Sequence, residues 1–484
     1  MRPGQAPARV AAAGADGTRA ARPASGRRVA AVYVGLVLVP IAAVVGILLA
    51  RRGGDGSRRA GEVASNPMLP RLLLAMVVVV GSCKAGGAVA RRLGQPPVVG
   101  EIAAGILLGP SVLGALWPAG ARHLIAPAVL PQLNALAQVG VVLFVFLAGL
   151  ELDTRLVRAQ SHLAVVVSHV SIAFPLLLGV LLALAGYRRF APAGVDFLPF
   201  ALFLGVSMSV TALPVMARLL METGMLRSEI GTIALTCALV DDVTAWCLLA
   251  LVTGLVAAGS LPAFGATVGL TLVFAAVLLF VVRPWLARAS RGPAGGWGEA
   301  GAPLALVVVL VCALATERIG VHAIFGAFLC GLIFPVGVPA VRRIGDTIGG
   351  LTVVLLLPLF FAYSGLRTEI GVLGTDPVLW LWCLLILAVA VLGKLAGSAL
   401  AARSVGTPWR RSLQIGALMN CRGLTELVVL NVGLDLGVLS RTLFTMLVLM
   451  ALVSTAMTGP LLALVRRGDG ELAPAAPRAA AMAG

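Results

Sequence analysis

Two adjacent acidic residues, Asp241 and Asp242, lie inside a long apolar run, TIALTCALVDDVTAWCLLALV. A charge at the centre of a bilayer costs at least ~2.5–3.5 kcal/mol, so acids in such a run need a partner or a function. Adjacent residues of a helix point about 100° apart, so one carboxylate can be paired while the other faces a cavity. A carboxylate that faces a cavity can hold either a proton or a cation. The doublet therefore favours reversible ion binding over a buried ion pair that only fixes helix packing.

Lys394, in the run LAVAVLGKLAGSALAAR, is one of only two lysines in the chain. Gly393 and Gly397 flank it and would let another helix approach closely. Two interpretations are open for this side chain. It could extend to the membrane interface about eight residues away, or it could pair with a buried carboxylate such as that of Asp241.

Polar residues, glycine and proline interrupt two apolar runs, FLGVSMSVTALPVMARLL and LQIGALMNCRGLTELVVLNVG. The interrupting residues are Ser207, Ser209, Thr211 and Pro214 in the first run, and Gly416, Asn420, Arg422, Gly423 and Glu426 in the second. Interruptions at matching places in two halves of a chain indicate an inverted repeat with an ion site near the midplane. The alternatives are an ordinary kink at Pro214 and a local salt bridge between Arg422 and Glu426, four residues apart. The two interruptions together favour broken helices, whose end dipoles Arg422 and Glu426 could neutralise.

Glu101 begins the segment GEIAAGILLGPSVLG. A carboxylate in the first turns of a helix interacts favourably with the helix dipole, which would make it structural. A lining role in a funnel for cations explains its position equally well.

The helices that must position these residues are predicted from apolar runs of bilayer length. Hydrophobic residues make up 60% of the 484 residues, charged residues 12%, and the mean hydropathy is +1.02, so lipid must be the solvent for most of the surface. The predicted fold class is an all-α polytopic membrane protein. About fourteen helices are expected, at 29–50, 69–90, 97–117, 132–151, 162–186, 198–220, 229–257, 263–283, 302–317, 320–338, 348–365, 377–402, 413–434 and 441–464.

The net charge of +17 does not indicate a nucleic-acid partner, because the arginines stand singly or in pairs between apolar runs. Their asymmetry between the two sides predicts a multi-pass protein of the cell membrane with both termini in the cytoplasm. The Arg and Ala bias is typical of a high-GC genome, which suggests a bacterial source. None of the seven cysteines has a ligand spacing, so no cofactor or resident metal is expected. Residues 1–28 are predicted to be a disordered tail, and 29–50 a retained helix rather than a signal peptide.

Six motifs in order resemble the monovalent cation:proton antiporter-2 family, and the last is nearest to its cation/H⁺ exchanger branch and bacterial relatives. They are PPVVGEIAAGILLGPSVLG, FLAGLELD, SVTALPVMARLL, ALVDDVTAWCLLALV, GVHAIFGAFLCGLIFP and MNCRGLTELVVLNVG. The resemblance implies an inverted-repeat cation/proton antiporter fold of thirteen helices, usually homodimeric, in which a core domain moves against a dimerisation domain. The exchanger domain would span 68–466, with repeats at 68–258 and 302–464 and a linker helix at 263–283. The helix at 29–50 would be an addition, and 467–484 a short cytoplasmic tail.

The resemblance also implies roles for the site residues. Asp242 matches the carboxylate that binds the transported cation, Na⁺ or K⁺, and the proton, and Asp241 matches the acid that pairs with the lysine at Lys394. Thr211 matches a polar position of the first unwound segment. Two acids together imply electrogenic exchange. Sodium-selective bacterial members often carry RGE in the second broken helix, whereas this chain has RGLTE with the acid at Glu426, so both cations stay open.

Two other functions could also use acids within a membrane helix. A channel-like K⁺ efflux pathway on the same fold remains the alternative. An intramembrane aspartyl protease needs two carboxylates that share a proton and a water. Known examples carry them on separate helices, so adjacent acids on one helix argue against an enzyme.

Overall fold

The computed structural model describes residues 68–151, 162–225, 228–258, 261–289, 301–335 and 339–466. These residues form helices and the turns that join them, and none of them forms a strand, so the all-α prediction is confirmed. The predicted tails at 1–28 and 467–484 and the predicted helix 29–50 lie outside the described residues.

We number the principal helices α1 to α13 in chain order. They are α1 Met68–Arg92, α2 Pro97–Leu108, α3 Leu130–Glu151, α4 His162–Phe190, α5a Phe197–Ser209, α5b Leu213–Glu222, α6 Glu229–Ala258, α7 Leu261–Val277 continued by Arg283–Ala289, α8 Gly301–Ile319, α9 Ala323–Ile333, α10 Pro339–Leu351 continued by Leu357–Leu366, α11 Pro377–Ser404, α12a Trp409–Met419, α12b Leu424–Asp435 and α13 Arg441–Arg466. Single π-helical turns at Leu278–Val282 and Thr352–Leu356 join the two parts of α7 and of α10.

Membrane-length helices account for most of the described chain. Eleven are long and apolar enough to cross a bilayer, and the bent pair α12a and α12b would make a twelfth. Most predicted spans agree with these helices to within a few residues. Two do not: the span predicted at 320–338 is the shorter helix Ala323–Ile333, and the one predicted to begin at 348 begins at Pro339.

The helices pack as two bundles. The core bundle contains α4, α5a, α5b, α6, α11, α12a, α12b and α13, and the outer bundle contains α1, α2, α3, α8, α9 and α10. Helix pairs recur with an offset of seven: α4 packs on α5a as α11 packs on α12a, and α1 packs on α2 as α8 packs on α9. This repetition is what two homologous halves of a chain would produce.

Polar contacts between the bundles gather where α10 and α12b end. Arg367, which caps α10, lies 2.7 Å from an Asp435 carboxylate oxygen and donates to the Asn431 amide oxygen at 3.2 Å, and both partners are on α12b. Arg441, the first residue of α13, pairs with Glu369 in the loop after α10. We call these residues the cross-bundle clasp.

A narrow cleft separates the bundles at another level. Val98 and Ile102 of α2 line it from the outer bundle, and Arg422, Gly423 and Thr455 line it from the core bundle. The cleft therefore reaches the unwound segment of α12, whereas the clasp lies at the far end of α12b.

Candidate functional site

Two broken helices cross inside the core bundle, as the interrupted apolar runs predicted. The segment 210–212 separates α5a from α5b, and 420–423 separates α12a from α12b, whose axes differ by 45°. At the crossing, the backbone N–H of Ala212 donates to the carbonyl oxygen of Cys421 at 3.0 Å. This hydrogen bond satisfies backbone groups that the unwinding frees from their helices.

Gly423 permits this close crossing. A Cβ atom at this position would lie 2.6 Å from Cγ2 of Val215 and 3.3 Å from Cβ of Ala212. The first distance is shorter than a normal contact between carbon atoms, so a side chain here would push α5b away from α12b.

Asp241 is held by three donors. Ser171 on α4 donates to its carboxylate at 2.9 Å, Thr211 in the α5 break at 2.8 Å, and Lys394 Nζ on α11 at 3.0 Å. Asp241 is 1% exposed and Lys394 0%. A buried ion pair is favourable only when further hydrogen bonds satisfy its remaining atoms, and these hydroxyl groups provide them. Asp241 is thus fully occupied as the anion of an ion pair.

The Thr211 hydroxyl serves this same ion pair. It accepts from Lys394 Nζ at 2.6 Å while it donates to Asp241. The sequence grouped Thr211 with the cation-binding residues, and the structure places it between the two members of the ion pair.

Asp242 has a different environment. Its Oδ1 atom accepts a hydrogen bond from the Thr425 hydroxyl at 3.3 Å, and the backbone of Leu213 also hydrogen-bonds to it. Leu213 begins α5b and Thr425 lies in the first turn of α12b, so the carboxylate faces two helix N-termini, where a negative charge is favourable. In the described part of the chain the contacts of Asp242 are with neutral groups, which leaves it free to bind a positive one.

Arg422 and Glu426 lie at the facing ends of the half-helices. Arg422 donates to the carbonyl oxygens of Ser207 at 2.9 Å and Met208 at 2.7 Å, close to the C-terminal end of α5a, where the dipole is negative. It also contacts Glu426 Oε2 at 2.7 Å. Glu426 lies in the first turn of α12b, where the dipole is positive. The positions of the two charges therefore complement both dipoles.

The buried charges of the core bundle do not cancel. Among the described residues, the charged side chains classed as buried are three acids and two bases: Asp241, Asp242, Glu426, Lys394 and Arg422. With every group ionised, the cluster has a net charge of −1. One proton or one monovalent cation would neutralise it.

Glu101 lies apart from this cluster. It is on α2 in the outer bundle, half-buried, next to the cleft-lining residue Ile102. The charges that act on it most strongly are those of Lys84, Arg91 and Arg218. Its role as part of a cation funnel stays a prediction.

Sequence reasoning did not identify Ser171 or Thr425. Ser171 lies 70 residues before Asp241, and Thr425 lies 183 residues after Asp242. Both are hydroxyl residues within apolar helical runs, and this is the signal that could have drawn attention to them.

Residues 72–466 match the family model described as "Sodium/hydrogen exchanger, transmembrane". Curated relatives include the Na(+)/H(+) antiporter NhaS4 of Synechocystis, which is 39% identical over 394 residues, or 81% of this chain and 96% of that protein. Cation/H(+) antiporter 17 of Arabidopsis thaliana is 38% identical over 83% of this chain, and K(+)/H(+) antiporter 1 of Saccharomyces cerevisiae is 33% identical over 77%. The chain spans only 49% and 43% of the lengths of these last two proteins.

Among solved structures, the sodium proton antiporter MjNhaP1 of Methanocaldococcus jannaschii superimposes with a TM-score of 0.57 at 14% sequence identity, over 83% of this chain and 97% of that one. At this identity the likeness concerns the fold. It confirms the predicted all-helical cation/proton antiporter fold.

Proposed function

This chain belongs to the sodium/hydrogen exchanger family, whose members are secondary active cation/proton antiporters and not enzymes, and we propose that the two ions compete for Asp242. One observation carries the proposal. Asp242 is a buried acid with neutral partners at a helix crossing, while its neighbour Asp241 is occupied by Lys394.

The charge of the cluster supplies the coupling. With Asp242 ionised and unoccupied, the buried groups carry a net charge of −1, which is costly to move through the apolar centre of a bilayer. A bound proton or a bound monovalent cation removes this charge. The core bundle therefore moves readily between its two positions when either ion is bound, and poorly when the site is empty. This is the condition for exchange rather than leakage.

Alternating access would come from movement of the core bundle against the outer bundle. The cleft between α2 and the α12 break, which Arg422 and Gly423 line, would widen during this movement to give access from one side. The cross-bundle clasp would hold the other side closed, and its ion pairs would break when the site turns to that side.

The charge balance bears on stoichiometry. If Lys394 keeps its proton throughout the cycle, one proton exchanges for one monovalent cation and no net charge moves. Electrogenic exchange, which the acidic doublet favours, requires a second proton. The Lys394–Asp241 pair is the group that would release it, because Ser171 and Thr211 still satisfy the Asp241 carboxylate when the lysine turns neutral.

The transported cation is proposed to be Na⁺ or K⁺, since named relatives exchange one or the other. We further propose that the protein is a homodimer in a bacterial plasma membrane, with both termini in the cytoplasm. The support for orientation is the excess of arginine in alternate connecting segments.

Transport by purified protein in vesicles tests the assignment. A pH-sensitive dye inside the vesicles should report the collapse of a pH gradient when Na⁺ or K⁺ is added, and Asp242→Ala should abolish it. Asp376→Ala, at an acid that is 42% exposed and N-caps α11, is the matched control and should transport as the wild type does. Exchange that survives Asp242→Ala would refute the role of Asp242. Cation flux without proton movement in the wild type would instead favour a channel.

A further inference from the structure

Resting on the proposed exchange at Asp242, we propose that the Thr425 hydroxyl is a second ligand of the transported monovalent cation. The sequence analysis grouped Thr211 with the cation-binding residues, but the threonine whose hydroxyl faces Asp242 is Thr425. Each acid of the doublet then has a threonine of its own, one from each broken helix.

The orientation of the Thr425 side chain sets it apart from other threonines of the core bundle. Thr244, Thr253 and Thr458 donate to carbonyl oxygens three or four residues earlier in their own helices, the usual arrangement for threonine within a helix. Thr425 is the second residue of α12b, and the carbonyl oxygen four residues before it, that of Cys421, already accepts from Ala212. Its hydroxyl points across the crossing to Asp242 instead.

The spacing of the two oxygen atoms suits shared coordination. Thr425 Oγ1 lies 3.3 Å from Asp242 Oδ1, which is long for a hydroxyl–carboxylate hydrogen bond. Neighbouring ligands of an octahedral ion with metal–oxygen distances of about 2.3–2.6 Å, the calcium range and suitable for the similarly sized sodium ion, lie roughly 3.3–3.7 Å apart. The two oxygens are thus placed as one edge of a coordination shell.

The hydroxyl can serve both states of the cycle. It has one proton to donate and two lone pairs. Without a cation it donates to Asp242. With a cation it turns that proton away and offers a lone pair to the ion, while Asp242 remains ionised. Thr425 is 3% exposed, so water competes little for either role.

Thr211 cannot take this position without giving up its present contacts. It accepts from Lys394 and donates to Asp241, both at 2.8 Å or less. A cation ligand at Thr211 would therefore weaken the buried ion pair, whereas one at Thr425 would leave it intact.

The test is cation affinity in the vesicle assay, with Na⁺, K⁺ and Li⁺ titrated separately at fixed pH. Thr425→Val keeps the shape and removes the oxygen, and its apparent KM for the transported cation should rise about tenfold or more while the maximal rate falls much less. Thr425→Ser keeps the oxygen and should stay within about twofold of the wild type. Thr244→Val, two residues from Asp242 but bonded within its own helix, is the control and should leave KM unchanged.

An unchanged KM in an active Thr425→Val protein would overturn the proposal, and so would equal losses in the serine and valine variants. If the valine variant fails to fold, Thr425→Ala is judged by the same comparison with serine. Failure of the underlying function is distinguishable, because the wild type itself would then show no cation-dependent proton movement.

Discussion

The core bundle should be strongly destabilised when either member of the buried ion pair between Lys394 and Asp241 is removed. Removing one member of a buried pair leaves an uncompensated charge and costs about 3–5 kcal/mol. The structure predicts which of the two single substitutions costs more stability within this range. In Lys394→Met, Asp241 keeps hydrogen bonds from Ser171 and Thr211, so the loss should lie near the low end. In Asp241→Asn, the ammonium group loses its carboxylate partner, and the loss should lie near the high end.

The double variant separates pairing from packing. With both members of the pair removed, neither is left buried without its partner, so Lys394→Met with Asp241→Asn should be more stable than either single variant. A pair of exposed residues that joins the same two helices provides the control. Arg189 on α4 and Asp376, the N-cap of α11, lie 3.2 Å apart with side chains 45% and 42% exposed. Arg189→Gln breaks this pair and keeps the N-cap, so it should cost about 0–1 kcal/mol, as is typical of surface pairs.

The assay is thermal unfolding of the purified protein in detergent, with all variants measured side by side. One kcal/mol shifts the melting temperature of a 150–250-residue domain by about 2–4 °C and that of a longer chain by less, so the single variants should melt roughly 4–10 °C below the wild type. Single variants that melt at the same temperature as the Arg189→Gln control would refute the reasoning. So would a double variant that loses as much as the two single variants together.

Three further outcomes follow from contacts described above. Gly423→Ala places a methyl group 2.6 Å from a valine of α5b, so it should abolish exchange and lower stability by about 1–3 kcal/mol. The control is Gly269→Ala on α7, where no atom lies within 4 Å of the new methyl group, and it should change neither melting nor transport. Arg422→Gln should cost about 3–5 kcal/mol because Glu426 is left buried and charged, and adding Glu426→Gln should restore part of that in the melting assay. Arg367→Gln breaks one ion pair of the clasp and should shift the conformational equilibrium by up to about fivefold towards opening at that end. Labelling of a cysteine introduced there, with a membrane-impermeant reagent, measures this shift. Unchanged labelling would show that the clasp does not hold that side closed.

Most helices of this fold could be predicted from the sequence because lipid imposes a simple constraint on the backbone. Backbone groups in a bilayer must be satisfied within a helix, so apolar length predicts each span. The rule failed where polar residues lie on a helix. The span predicted at 348–365 leaves out Arg343 and Asp346, yet the helix begins at Pro339 and includes both.

The candidate site was accessible only in part. Charges in apolar runs are conspicuous, so the doublet, Lys394 and Arg422 could be identified from the sequence alone. Which hydroxyl group faces which carboxylate depends on how the broken helices cross. Thr211 lies in the break of α5 and Thr425 in the first turn of α12b, and only the crossing assigns Thr211 to Asp241 and Thr425 to Asp242.

The five buried charges all belong to the core bundle, and this determines how membrane voltage acts on the protein. A charge that crosses the whole field gains or loses about 2.3 kcal/mol per 100 mV. If the core bundle moves as proposed, the buried cluster is neutral when it holds one proton or one monovalent cation, and the field then does no work on these five charges. Unloaded, it behaves as a single negative charge, so voltage would bias the position in which the empty bundle rests.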